Sequence, residues 1–211
     1  MRRAFPGILV FVSLLLSAAT YGRLPSRVTT HWNLAGQPDG WSGRLSAAFL
    51  LPAMMLVIWA VAQLLPVIDP RRANYAKFRG TYDLVIAAVV GVMALLHAAV
   101  VGTALGWPIS VPRVAPVAAA IVFVVVGNAL PRARPNWFFG IRTPWTLSSD
   151  RVWERTHRVG GYLMMASGVL IALAALLSPS RATIVLVITV GLTTVTALIY
   201  SYVLWRRESR G

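Results

Sequence analysis

The chain has 211 residues, 57% of them hydrophobic, with only 12% charged and a formal net charge of +14. A soluble domain usually carries about 25% charged residues, so the composition excludes an ordinary soluble fold. The absence of cysteine excludes disulfides, thiolate metal sites and cysteine nucleophiles.

Six apolar stretches are long enough, or nearly so, to cross a hydrocarbon core that takes about 20 residues: Phe5–Thr20, Ser46–Pro66, Leu84–Leu105, Val114–Leu130, Val159–Leu177 and Thr183–Trp205. None contains Asp, Glu, Lys or Arg, and one central charge would cost about 2.5–3.5 kcal/mol on insertion scales. The pattern predicts an all-α integral membrane protein of six transmembrane helices. With both termini inside, 15 of the 20 basic residues fall in inner segments and 5 in outer ones, as the positive-inside rule requires. Arginines set between apolar runs read as membrane loops, and nucleic acid is not an expected partner. Trp107, Trp145, Trp153 and Trp205 lie at or near span ends, where an indole sits at the interface. The first span has a second reading: Arg2-Arg3, an apolar run and Ser17-Ala18-Ala19 also fit a signal peptide.

The expected division is an amino-terminal two-span unit, residues 1–66, and a four-span core, residues 67–211. The loop between the first two spans holds Thr30-His31-Trp32-Asn33 and Pro38-Asp39-Gly40. Val28 to Trp32 suits a short strand, and Pro-Asp-Gly suits a turn, so this outer loop is expected to be ordered. Two readings stand for it, a purely structural loop and a site for an external molecule, with His31, Trp32, Asn33 and Asp39 as the candidate contact residues. Too few good ligands are present for a metal site, and no cofactor is expected.

The third span carries Ala94, Ala98, Gly102 and Gly106 at a spacing of four, one smooth stripe on a helix. His97 borders that stripe and is expected to face into the bundle. A neutral imidazole bonded to a neighbouring helix is one reading, and a proton or ligand site is the other. In the last span, Thr189, Thr193 and Thr196 are read as packing groups.

The connection Pro131–Arg158 carries six arginines against Asp150 and Glu154, together with Trp137, Phe138, Phe139, Trp145 and Trp153. Its three prolines are expected to break regular structure, Ser148 to cap the next helix, and Glu154 to pair with Arg158. Two readings stand: attraction to anionic headgroups, and a surface for protein or substrate docking. A polar cluster is expected at this boundary from Asp83, Asn128, Asn136, Arg142, Trp145 and His157, with Arg142 paired to Asp83 and Arg79 as the competing partner.

The motifs Gly127-Asn128-x-Leu130-Pro131, Arg134-Pro135-Asn136-Trp137-Phe138-Phe139-Gly140-Ile141-Arg142-Thr143-Pro144-Trp145 and Trp153-x-x-Thr156-His157-x-x-Gly160-Gly161 resemble the core of the SdpI family of bacterial membrane proteins. The outer motif Thr30-His31-Trp32-Asn33-x-x-Gly36-x-Pro38-Asp39-Gly40 is similar to an uncharacterised domain that often precedes that core. The resemblance implies a multi-pass protein of the bacterial plasma membrane that gives immunity to a secreted, membrane-active toxin peptide. It also implies a signalling role, with a transcriptional repressor held at the inner loop. The family supplies no catalytic residues, and no P-loop, H-E-x-x-H or G-x-S-x-G motif is present, so an enzyme is not expected. A small transporter or channel is the alternative, weakened by spans without acidic groups.

Overall fold

The computed structural model describes residues 3–210; Arg2, part of the sequence-based charge count and of the signal-peptide reading, lies outside them. Six helices are long and apolar enough to cross a membrane: α1 (Phe5–Thr20), α2 (Arg44–Ile68), α3 (Tyr75–Ala104), α4 (Val111–Ala129), α6 (Asp150–Leu177) and α7 (Pro179–Glu208). A short helix, α5 (Pro144–Ser148), lies before α6, and an antiparallel hairpin, β1 (Arg27–Trp32) and β2 (Pro38–Gly43), joins α1 to α2. The helices alternate in direction, so the bundle has two ends. The hairpin end also holds the α3–α4 connection, where Val28, Ala47, Ala99, Val100 and Val111 form one buried cluster. The arginine-rich end holds the α2–α3 and α4–α6 connections.

Helices α3 and α6 start well before hydropathy predicts. Helix α3 begins at Tyr75 rather than near Leu84, with a kink at Phe78. Its first turns are polar on one side, but Tyr75, Phe78 and Tyr82 are buried together against Ala62, and that aromatic stripe carries the helix beyond the apolar span. Helix α6 begins at Asp150 because the Ser149 hydroxyl accepts from the Val152 amide; Ser149, not Ser148, is the cap. Pro144 starts a helix instead of breaking one. It stands in the first turn of α5, where its missing N–H is no loss, and Thr143 and Thr146 close a reciprocal capping box.

Helix α3 packs against α1, α2 and α4, while α6 lies between α4 and α7. The closest approach is between α4 and α6. A Cβ on Gly127 would stand 2.7 Å from the Gly161 carbonyl oxygen, and one on Gly168 would stand 2.9 Å from that of Ala120. Without a hydrophobic drive between helices in lipid, such backbone contact is what holds spans together. The expected small-residue stripe on α3 works differently. Helix α3 ends at Ala104, Gly106 lies beyond it at φ +80°, and Gly102 makes room for Trp107 and Ile109 of the following turn.

Gly161→Val should therefore lower bundle stability by about 1–3 kcal/mol, the usual cost of overpacking. Gly22→Ala, where nothing lies within 4 Å of the added carbon, should leave it unchanged. Thermal unfolding of the detergent-solubilised protein checks both.

Candidate functional site

The arginine-rich end is built around a buried carboxylate and a buried amide. Asp69 closes α2 and is 2% exposed. Its Oδ1 accepts from the Arg71 amide at 2.7 Å, and its Oδ2 accepts from the Trp137 amide at 2.9 Å and the Tyr75 hydroxyl at 3.1 Å. Asn136 is fully buried. Its Oδ1 accepts from the amides of Phe138 and Phe139 at 2.9 and 2.6 Å, and its Nδ2 donates to the carbonyls of Arg134 and Phe139 at 2.8 and 2.9 Å. Tyr75 reaches both groups, its hydroxyl also lying 3.2 Å from the Asn136 oxygen. Asn74 donates to the Pro135 carbonyl at 2.8 Å. An irregular segment next to a bilayer cannot leave its backbone unsatisfied, and these side chains supply the missing partners.

The rest of the segment is pressed onto α6. The Trp153 indole donates to the Ala133 carbonyl at 2.9 Å. His157 donates from Nδ1 to the Trp153 carbonyl and accepts at Nε2 from the Ile141 amide at 2.9 Å, so the two bonds select one neutral tautomer. Gly140 is at φ +116°, and a side chain there would overlap His157; one on Gly160 would overlap Ile141. Thr143 donates to the Ser201 hydroxyl of α7 at 3.1 Å. Phe139 stacks on Phe78. The loop thus joins α2, α3, α6 and α7.

The expected cluster of Asp83, Asn128 and Arg142 does not form. Asp83, with its side chain 11% exposed, pairs with Arg79 at 2.9 Å and with Arg3 at 3.4 Å. The Arg79 partner lies one helical turn away, a geometry that needs no folding of the loop. Arg142 instead donates to the Trp137 carbonyl at 3.0 Å and is exposed. The Asn128 side chain is exposed, and its carbonyl accepts from Arg132. Glu154 pairs with Arg134 at 2.9 Å rather than with Arg158. Trp145 is half-buried against Tyr202 of α7. Of the residues singled out at this end, Asn136 and His157 are thus internal, whereas Arg142 and Trp137 face outward. Asp69 was missed; an aspartate just before Pro70 and just after an apolar run is a turn-forming signal that could have flagged it.

At the hairpin end, the turn is made by Asn33 and not by Pro38-Asp39-Gly40. The Asn33 Oδ1 accepts from the Ala35 and Gln37 amides at 2.9 and 3.0 Å, and Gly36 takes φ +78°. Pro38, Asp39 and Gly40 lie in β2. An asparagine side chain that mimics two backbone acceptors outcompetes the Pro-Asp-Gly signal. His31 Nδ1 and Asp39 Oδ1 are 2.6 Å apart and open to solvent. Gly40 lies opposite His31, where a Cβ would come within 2.8 Å of the imidazole-bearing carbon. Trp32 packs on the cluster that joins the hairpin to the bundle, while Trp41 is exposed under the Arg27 guanidinium at 4.9 Å. Trp32 and Asn33 also line a cleft of about 230 Å³ with Val111, Pro112, Pro179 and Thr183. Of the four contact candidates, His31 and Asp39 form an exposed pair, Asn33 makes the turn and Trp32 anchors it.

Within the bundle, His97 is fully buried. Its Nε2 is 3.0 Å from both the Ser17 hydroxyl and the Ala48 carbonyl oxygen, tying α3 to α1 and α2. Ser17 itself donates to the Ala48 carbonyl at 2.5 Å. Ser17, the first residue of the stretch that resembles a signal-peptide cleavage site, is therefore tied into the bundle. Thr189 bonds back to the Val185 carbonyl, and Thr193 lies 3.5 Å from Ser167, both packing roles; Thr196 is exposed. Among the described residues no group of His, Cys, Asp and Glu could hold a metal ion.

Six apolar helices, an ordered hairpin at one end and a folded arginine-aromatic loop at the other define a polytopic α-helical membrane protein. Through that loop and the two helices after it, residues 132–201 match the model of the SdpI/YfhL protein family. Residues 8–56 match a domain of unknown function, DUF1648, so both halves of the resemblance read from the motifs are borne out. The chain is also similar to the immunity protein SdpI of Bacillus subtilis (strain 168), with 22% identity over 195 residues that cover 92% of this chain and 91% of that protein. No solved structure matches.

A double-mutant cycle should give Asp83 and Arg79 a coupling of about 1 kcal/mol, as for a partly exposed helix pair. The Asp83–Arg142 cycle should give a coupling near zero. Urea unfolding in detergent checks both.

Proposed function

We propose that this chain is a membrane immunity protein of the bacterial plasma membrane, protecting its host from a secreted, membrane-active toxin peptide. The observation that carries the reading is the similarity to the SdpI immunity protein along nearly the whole length of both chains. It spans both motif-bearing ends, so the resemblance is not confined to apolar helices, which are alike in many membrane proteins.

In this reading the hairpin end faces outward and the arginine-rich end faces the cytoplasm, as the distribution of basic residues requires. The exposed His31–Asp39 pair and the Arg27–Trp41 pair offer an incoming peptide charge, hydrogen bonds and an aromatic face on a rigid ribbon. At the other end, Arg142 and Trp137 stand out, beside the exposed Arg134, from a loop that turns Asn136 and Thr143 inward, the arrangement of a protein-docking surface. A repressor-type protein is the partner that fits the signalling role. The amino-terminal two-span unit, residues 1–66, is the sensing part, and residues 67–211 are the part that answers inside. The chain acts by binding and has no catalytic role. His97, the residue on which a transporter reading would rest, is tied between Ser17 and Ala48, which favours a structural part for it.

Expression in a toxin-sensitive bacterium challenged with the toxin peptide of an SdpI-type system tests the reading. Wild type should raise survival above the empty vector. His31→Ala should weaken protection about tenfold, the loss of one good contact, with the membrane level of the protein unchanged. Arg142→Ala should leave insertion intact and abolish capture of a cytoplasmic partner. Survival no better than the empty vector, with the protein correctly inserted, would refute immunity.

A further inference from the structure

Where α6 begins and α7 ends, a cleft of about 190 Å³ is lined by Arg151, Val152, Arg155, Leu204, Arg207 and Glu208. Arg151 and Arg155 are one turn apart on α6, so their side chains rise from the same face. Arg207 approaches from the last turn of α7. Like charges so placed repel one another, and an anion seated between them would relieve that repulsion.

The chain supplies only part of the counter-charge. Helices α6 and α7 contain three acidic residues; two are paired outside the cleft, and Glu208 lines it, so two of the three positive charges there are left over. Asp150 bonds Arg71 at 3.4 Å, Glu154 bonds Arg134 at 2.9 Å, and Glu208, which itself lines the cleft, accepts from the Ser149 hydroxyl at 2.7 Å. Among the described residues, none of the Arg151, Arg155 and Arg207 guanidinium groups has an ion-pair partner. The amino-terminal end of α6 adds the positive end of a long helix dipole. The other lining side chains, Val152 and Leu204, are apolar.

We propose that this cleft binds a phosphate anion, carried either by the headgroup of an anionic phospholipid or by free phosphate. Guanidinium forks match phosphate oxygens in geometry and charge. The apolar side chains beside them and the position at the end of two spans suit a headgroup whose acyl chains run along the bundle. The site is separate from the His31–Asp39 pair and from Arg142, and the proposal does not depend on the immunity reading.

The test uses the full-length protein in a neutral detergent. Native mass spectrometry follows the binding of phosphatidylglycerol and of phosphatidylcholine, and calorimetry follows inorganic phosphate. Wild type should hold one phosphatidylglycerol in preference to phosphatidylcholine. The triple variant Arg151→Gln, Arg155→Gln, Arg207→Gln should weaken that binding about tenfold or more. A control variant with the same change in charge, Arg72→Gln, Lys77→Gln, Arg132→Gln, should change it about threefold or less. Arg207→Gln alone, on an exposed last turn, should fold normally and show a smaller loss of the same sign. Phosphate binding that the site variant abolishes, without selective lipid binding, would assign the site to free phosphate. Equal losses in the site and control variants, or no preference for phosphatidylglycerol over phosphatidylcholine together with no phosphate binding, would overturn the proposal.

Discussion

The structure depends on how an irregular loop is made tolerable at the edge of a membrane. A helix satisfies its own backbone, but residues 133–143 cannot, and lipid offers no hydrogen bonds in exchange. Asp69 and Asn136 meet that demand. Between them they accept the amides of Arg71, Trp137, Phe138 and Phe139, and Asn136 donates to two carbonyls of the same loop. A carboxyl group that accepts two N–H groups and a hydroxyl at once holds all three donors to one point. Because Asp69 belongs to the end of α2 and Asn136 to the loop after α4, the same bonds that order the loop also join it to α2.

Other features of that end follow from this anchoring. With the loop held, Gly140 and Ile141 can lie on His157 and Gly160, and Phe139 can stack on Phe78. Thr143 then reaches Ser201 on α7. Asn136, Phe139, Thr143, Trp153 and His157 are thereby turned inward, and what remains outside is Arg132, Arg134, Trp137, Arg142 and the arginines of α6 and α7. The hairpin at the opposite end repeats the economy on a smaller scale, with Asn33 making the turn, Trp32 fastening it to the bundle, and His31, Asp39 and Trp41 left exposed.

The six spans were legible because charge-free apolar runs have few alternatives in a chain of this composition. The hairpin strand at Val28–Trp32 and the inward position of His97 were legible too, the first from β-branched residues and the second from its place beside small residues. What could not be read was competition between equally reasonable partners. Ser148 and Ser149 both suit a cap, Pro-Asp-Gly and Asn-x-x-Gly both suit a turn, and Arg79 and Arg142 both suit Asp83. Each was decided by tertiary placement that a linear pattern does not contain. Asn136 and His157 stood out in the motif, but their place as buried pins, rather than contact residues, depends on how the loop folds back on α6. The close contact of α4 with α6 was hidden for the same reason: a glycine shows its purpose only when the opposing backbone is known.

The measurement that tests the account most directly is amide hydrogen exchange across residues 133–143 in the membrane-embedded protein. If Asp69, Asn136 and His157 hold the loop, the amides of Trp137, Phe138, Phe139 and Ile141 exchange slowly, and Asn136→Ala releases them while the six spans stay protected. Fast exchange of those four amides in the wild-type protein would contradict the account, since the loop would then be a loose tether and not a folded element.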